Sequence, residues 1–413
     1  MSLFQKTSIS ADLGATTASR ALRILYVVNG NGLSTELGGS VVRSSNVAKR
    51  IAAAGNAVTL MATSGGLSAC RKLGLEVPTV LVRCAFLETK ERSIASRLWG
   101  YLISSVHGMI LALTLPRFDW VYTDSDYPCD VLPAFVLSLF RRTRWVAMIH
   151  HMLGQGAGRA DRAAGAKRFL QNVMHAVIAK RADVVFCYAT AAGDSVQREL
   201  VKRGMDSHRI YRVHNGFDPD ELARASPTIG NRYEACLLGG LRPGKGLREV
   251  VPIWKRVCSA FPKARLILVG NTLSHYEEEL RFSILEASLE SNIVIAGPKE
   301  HSDAIALLKS SLMMISPSLE EGWGIAVCES LACGVPVVAY DLPAYKALFA
   351  GGMRRVAVGD ALAFADAVTM LLAGEEVRNS LATEGRCAVQ NYDWNVVATR
   401  DLQLMKECSD NLN

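Results

Sequence analysis

Two glutamates with seven residues between them, Glu321 and Glu329, stand in the densest run of chemistry-capable residues in the chain, Ser316 to Pro336 (SPSLEEGWGIAVCESLACGVP). An apolar run ends at Ile315, a loop carries Glu320 and Glu321, and a helix is expected to begin near Gly324. The first N–H groups of a helix have no partner within it, so they would point back into the loop and suit anionic phosphate oxygens. Glu329 then falls in the second turn, where a carboxylate can accept two hydrogen bonds from a vicinal diol such as ribose. Glu321, ahead of the helix, can accept from hydroxyls of a sugar lying over its end.

Three further groups could join them. Gly239-Gly240-Leu241-Arg242-Pro243-Gly244-Lys245-Gly246 is a flexible loop with two cations, Lys245 a point charge and Arg242 a forked donor, suited to a diphosphate. Gly38 and Gly39 precede a helical pattern, and paired glycines let a phosphate or an acceptor approach the backbone. His150 ends an apolar run, where it could hydrogen-bond a sugar hydroxyl; His151 follows it and is expected to face away or to help the acceptor.

These residues need strand ends to hold them. Short apolar runs read as buried parallel strands at Arg23–Val28, Ala57–Met61, Trp120–Thr123, Trp145–Ile149, Val184–Tyr188 and Ile210–Val213. After a polar stretch at 219–233, alternation restarts with Ala235–Leu238, Leu266–Val269, Ile293–Ala296, Leu312–Ile315 and Val335–Ala339. Helices separate them, notably Leu247–Ala260 and Tyr276–Glu290. The pattern predicts an α/β protein of two Rossmann-like, doubly wound parallel sheets facing each other across a cleft, with ligands at the carboxyl ends of strands. At 413 residues the chain is long enough for two such domains. The expected division is a disordered leader (1–20), an acceptor domain (21–225), a donor domain (226–390) and a terminal segment (391–413). Leu98–Leu115 is the longest apolar run; Ser104, Ser105, His107 and Gly108 interrupt it, so it reads as a buried helix, with a monotopic membrane contact as the alternative.

The motifs resemble those of retaining glycosyltransferases of family 4, which have the GT-B fold. The family's donor signature stands here as Glu321-Gly322-Trp323-Gly324, then Glu329-Ser330, then Gly334-Val335-Pro336-Val337. Lys245 matches the family lysine. The family arginine aligns with Gly240 and is missing there, leaving Arg242 to substitute. Gly38-Gly39 followed by Gly55-Asn56-Ala57-Val58, His150, Asn215-Gly216-Phe217-Asp218 and Tyr392-Asp393-Trp394 also match, so the likeness spans about residues 22–408. It implies hexosyl transfer from a nucleotide-diphosphate sugar to a glycan or lipid-linked acceptor, with retention and without a metal. Glu321, His150 and Lys245 would be catalytic. Gly38, Gly39, Arg242, Lys245, Gly322, Trp323, Gly324 and Glu329 would bind donor. The resemblance also implies that the last helix crosses back to the N-terminal domain, with Trp394 as packing.

Composition narrows the alternatives. Residues 1–225 hold 28 Lys+Arg against 17 Asp+Glu, and the remainder 18 against 22. A basic N-terminal half suits an anionic acceptor or a peripheral contact with an acidic membrane, or is simply a solvated basic face. Its cations are dispersed without interleaved aromatics, which disfavours nucleic acid. Ten cysteines without a CxxC pair suit a reducing cytoplasm and offer no metal site. Asp124-Ser125-Asp126 spells DxD but lies away from the donor signature, and no cofactor is expected. Two other readings remain: a non-catalytic nucleotide-sugar-binding protein, or a nucleotide-sugar epimerase of the same architecture.

Overall fold

A computed structural model of the chain describes residues 20–30, 38–83, 94–150, 164–227 and 233–411. The leader, save Arg20, and His151 lie outside them. Two all-parallel sheets form. The first contains β1 (Arg23–Val28), β2 (Ala57–Thr63), β3 (Thr79–Val82), β4 (Trp120–Thr123), β5 (Arg144–Ile149), β6 (Val184–Tyr188) and β7 (Ile210–Val213), in the order 3-2-1-4-5-6-7. The second contains β8 (Ala235–Leu238), β9 (Leu266–Val269), β10 (Ile293–Gly297), β11 (Met314–Ser316), β12 (Val337–Tyr340) and β13 (Met353–Val356), in the order 10-9-8-11-12-13. Each is a doubly wound sheet whose strand order reverses once, between β1 and β4 and between β8 and β11. Loops diverge there and open a crevice at the carboxyl edge.

The central strands are apolar along their whole length because helices cover both faces. Ile24, Tyr26 and Val28 pack to one side of β1, Leu25 and Val27 to the other, all buried. β3 and β13, absent from the sequence reading, are edge strands. Met353-Arg354-Arg355-Val356 is only partly buried, so no continuous apolar run marks it. The run read as a buried helix at Leu98–Leu115 forms a helix at Ile94–Thr114, but on the surface, with Trp99 62% and Ile110 55% exposed.

The chain leaves the first sheet after β7 and returns beside that crossing. Phe217 donates its N–H to the Tyr392 carbonyl (2.9 Å), and Trp394 donates to the Phe217 carbonyl (3.0 Å). Gly216 sits so close that a Cβ would stand 2.3 Å from the Tyr392 carbonyl oxygen. The helix Pro219–Arg224 packs on the second domain, where the Lys309 ammonium donates to the Ala225 carbonyl at 2.8 Å. The crossing therefore falls at 215–218, earlier than the polar stretch that suggested it.

The last helix, Trp394–Asn411, packs on helix Gly39–Ala53 of the first domain. Arg43 and Asp401 form a fully buried pair at 2.6 Å, and Arg43 also donates to Tyr122 Oη (2.8 Å) and the His214 carbonyl (3.1 Å). Removing one member of such a pair strands the other charge out of water. Arg43→Met is expected to cost about 3 kcal/mol in urea unfolding. Arg43→Met with Asp401→Leu should recover most of it; equal loss in the double variant would refute the pairing argument.

Candidate functional site

Two loops at the carboxyl edge of the second sheet, after β8 and after β11, carry the predicted donor residues of that domain, and Gly38 and Gly39 follow β1 in the first. After β8, the segment Pro243-Gly244-Lys245 forms one tight turn closed by Gly246 in the left-handed region (φ 75°). A Cβ on Gly246 would meet the Pro317 carbonyl oxygen at 1.9 Å. The Gly244 carbonyl accepts the N–H groups of Leu319 (3.1 Å) and Glu320 (3.3 Å). The lysine loop is thereby laid against the loop after β11. At that junction the Lys245 ammonium donates to the Glu321 carboxylate, both side chains mostly buried.

Gly324 caps helix Ile325–Ala332 at φ 94°, a backbone that a side chain would strain, and a Cβ there would also press to 2.9 Å from the Tyr345 ring. No side chain caps this helix and its first turn holds no acid, so its N–H groups are open to an anion. Helix Gly39–Ala53 of the first domain likewise starts at Gly38 with no side-chain cap and no acid in its first turn. The two starts face each other: a Cβ on Gly39 would lie 3.6 Å from Ile325 Cδ1. Two positive helix ends and Lys245 thus border one space between the domains.

Glu329 lies in the second turn, with His301 Nε2 at 2.9 Å from its Oε1. The other imidazole nitrogen meets Glu221 Oε1 at 2.8 Å. Burial alone would lower the His301 pKa, but bonds to Glu221 and Glu329 outweigh it and push it up to about 10. Sequence reasoning passed over His301; its place at the first turn after β10 was the available signal. Its raised folded-state pKa stabilises the protein fully below the ordinary value of 6.5, and that contribution disappears as pH rises through about 10. The side chain is 42% exposed, so water screens the effect. Wild type should therefore be more thermostable than His301→Gln at pH 6, with the gap in Tm closing towards pH 10. A pH-independent gap would reject the ion-pair account.

In the first domain, His150 follows β5. Its Nε2 lies 2.6 Å from the Asp124 carbonyl oxygen, which can only accept, so Nε2 carries the proton. Nδ1 then accepts from Tyr188 Oη at 2.9 Å. Tyr188 also receives Asn215 Nδ2 at 3.2 Å. Burial pushes the Tyr188 phenol up to about 12, and the nearby Glu321 carboxylate adds to the rise. Both His150 nitrogens are thus engaged by protein, so bonding a sugar hydroxyl requires one to exchange partners. Asn215, first of the matching Asn-Gly-Phe-Asp run, keeps a buried Oδ1 without a partner among the described residues. Thr190 Oγ1 crosses the cleft to the Gly322 carbonyl at 3.2 Å. Thr190, Tyr188 and Asn215 follow or end strands at the same edge as His150.

Two predicted residues stand differently from their expected roles. Trp323 is buried, its ring edge-to-face with Tyr392 (5.2 Å) and Phe349 (5.8 Å), so only its backbone can face a donor. Arg242 is exposed, its guanidinium without a protein partner among the described residues, while Gly240 opens to empty space. The carboxylates of Asp124 and Asp126 are directed at protein: Asp124 to Ser44, and Asp126 to Gln171 (2.7 Å) and His175 (2.8 Å). Among the described residues no group of three His, Cys, Asp or Glu side chains is arranged to hold a metal ion.

Comparison with known proteins matches residues 37–221 to the model of Glycosyltransferase Family 4 and residues 219–387 to that of Glycosyl transferases group 1. The phosphatidyl-myo-inositol mannosyltransferase of Mycobacterium leprae is 30% identical over 201 residues, 46% of this chain and 52% of that protein. The GDP-mannose:cellobiosyl-diphosphopolyprenol alpha-mannosyltransferase of Xanthomonas oryzae is 27% identical over 195 residues, covering 46% and 51%. The match spans about half the length of these curated relatives. Among solved structures, Anabaena HepE in complex with UDP and glucose superposes with a TM-score of 0.71 at 16% identity, covering 93% of this chain and 99% of that one.

Proposed function

The chain belongs to the family-4 glycosyltransferases of GT-B fold, and from that premise we propose that it moves a hexosyl group from a nucleotide-diphosphate sugar to a lipid-linked or glycan acceptor. One observation carries the reading. Lys245 and Glu321 meet beside two uncapped helix starts that face each other across the interdomain space. Cation and helix ends suit a diphosphate; the carboxylate suits the sugar attached to it.

In this reading the diphosphate lies between Gly38-Gly39 and Gly324, with Lys245 on its oxygens. Negative charge builds on the diphosphate as the anomeric C–O bond breaks, and these groups stabilise it without a divalent ion. Gly322 and Gly324 let the backbone approach the sugar. Glu321 accepts from sugar hydroxyls and gives up its bond from Lys245 when the phosphate competes for that cation. Glu329, its carboxylate held by His301, takes the ribose diol. His150 lines the opposite wall with Tyr188 and Asn215. The acceptor enters from the first domain, and donor phosphate assists its deprotonation on the face the nucleotide leaves, giving retention. Arg242, exposed at the loop, would fold onto the diphosphate in place of the arginine missing at Gly240.

Two named relatives act on lipids or lipid-linked sugars, phosphatidyl-myo-inositol and a diphosphopolyprenol, and both are mannosyltransferases. A lipid-linked acceptor and a mannosyl donor are therefore the first to try. The deciding experiment incubates purified protein with GDP-mannose and UDP-glucose, each with a polyprenyl-diphosphate sugar, in excess EDTA. Transfer with the donor's anomeric configuration is the expected result. Epimerised donor without acceptor consumption, binding without turnover, or activity abolished by EDTA would each overturn part of the reading.

A further inference from the structure

Helix Ile94–Thr114 is turned inside out. Its buried side is made of Gly100, Ser104, Ser105, Gly108 and Ala112. The two serines donate to carbonyls of their own helix, Gly100 (2.7 Å) and Tyr101 (2.6 Å). Gly108 lies so near helix Pro128–Phe140 that a Cβ would meet the Pro133 ring at 2.7 Å. Five large apolar residues point outward: Trp99, Leu102, Val106, Ile110 and Leu113 are each 44–62% exposed, while Met109 and Leu111 stay partly buried against the core. At about 100° and 1.5 Å per residue they fill an arc of about 80° over about 21 Å. Phe140, 64% exposed, lies at the end of the neighbouring helix, where Arg141 Nη2 donates to the Leu113 carbonyl at 2.5 Å. The helix is not long and apolar enough to cross a membrane.

Among the described residues of this helix and its two neighbours, the exposed charge is of one sign. Helices Ile94–Thr114 and Ala164–Arg181 contain no Asp or Glu. The only acid in the helix between them, Asp130, is fully buried and accepts from the N–H groups of Asn29 (2.6 Å) and Gly30 (3.1 Å). Arg117, Arg141, Arg142, Lys180 and Arg181 are exposed around them.

We propose that this face docks on an anionic lipid bilayer, the helix lying in the headgroup plane with its apolar stripe below it. A second copy of the chain would set this cationic surround against itself, whereas anionic headgroups complement it. The Trp99 end lies at the carboxyl edge of the first sheet, because Tyr101 stacks on Tyr127 (5.4 Å), just beyond β4. A docked bilayer therefore borders the side of the cleft by which a lipid-linked acceptor would enter. In that respect the inference rests on the proposed function.

The molecule carries its own reporter. Of its six tryptophans, Trp99 is exposed and Trp120, Trp145, Trp254, Trp323 and Trp394 are buried. The full chain is mixed with vesicles of phosphatidylcholine alone or with phosphatidylglycerol, without donor or acceptor. With the anionic vesicles, tryptophan emission should shift to the blue and the protein should co-sediment. Trp99→Phe should lose the shift yet still sediment. Leu102→Gln with Ile110→Gln should lower the partition coefficient at least about tenfold, and Arg117→Glu with Arg142→Glu should weaken binding to anionic vesicles alone. Failure of wild type to sediment, sedimentation of both double variants equal to wild type, or a lipid-free dimer dissolved by Leu102→Gln with Ile110→Gln would overturn the proposal. Thermal shifts with nucleoside diphosphates, read without vesicles, report separately on the cleft and on the folding of each variant.

Discussion

Lys245→Ala is expected to lower kcat/KM for sugar transfer by about a thousandfold, about 4 kcal/mol of transition-state stabilisation. Little in the fold depends on this ammonium. The turn that presents it is held by backbone, with the Gly244 carbonyl on Leu319 and Glu320 and the left-handed Gly246 against Pro317, and all of that survives truncation to alanine. What disappears is a cation bordering the space between the two helix starts. A helix N-terminus carries only about half an elementary charge, so the two starts together offer about one positive charge, and the lysine is needed beside them as the terminal phosphate of the leaving diphosphate gains its second negative charge. Steady-state kinetics beside a Tm measurement tests this. A folded Lys245→Ala enzyme within tenfold of wild type would remove the lysine from the site.

Glu321→Ala should also cost about a thousandfold, but in kcat, with nucleoside diphosphate affinity nearly unchanged. On the proposed reading the nucleotide is held by Glu329, Lys245 and the helix starts, whereas Glu321 stands ahead of Gly324 where the sugar would sit. Calorimetric titration with the nucleoside diphosphate, beside turnover with the complete donor, separates the two effects. Equal loss in both would mean that Glu321 acts only by holding Lys245. No covalent sugar should accumulate on Glu321, because on this reading the donor's own phosphate assists the acceptor. A trapped adduct detected by mass spectrometry would replace this mechanism with a double displacement.

Most strands that build the two sheets were legible because a parallel strand covered on both faces must be apolar throughout, and such runs are short and discrete, several of them followed closely by glycine. β13 was not legible, since an edge strand tolerates Arg354 and Arg355 in the middle of its run; β3, Thr79–Val82, is a short apolar run that the reading passed over. The turn at Gly324 was legible because that backbone favours glycine and the carboxylates around it keep a fixed spacing. Helix Ile94–Thr114 misled for a physical reason. Apolar content reports how much a segment prefers to leave water, not which of its faces does so, and here small residues were required inside by the close approach of Pro133.

Sequence by itself determined the fold class, the two-domain division, and the loop and helix that carry Glu321, Gly324 and Glu329, because local backbone geometry and burial impose residue types at short spacing. Only the tertiary structure decided who meets whom over long separations. Lys245 joins Glu321 across 76 positions, His301 clamps Glu329 to Glu221, Thr190 reaches Gly322 across 132, and Arg43 finds Asp401 across 358. Such pairings leave no periodic trace, since each needs only one residue of suitable charge at a strand end or on a helix face. Packing of whole elements, rather than any local preference, brings the two together.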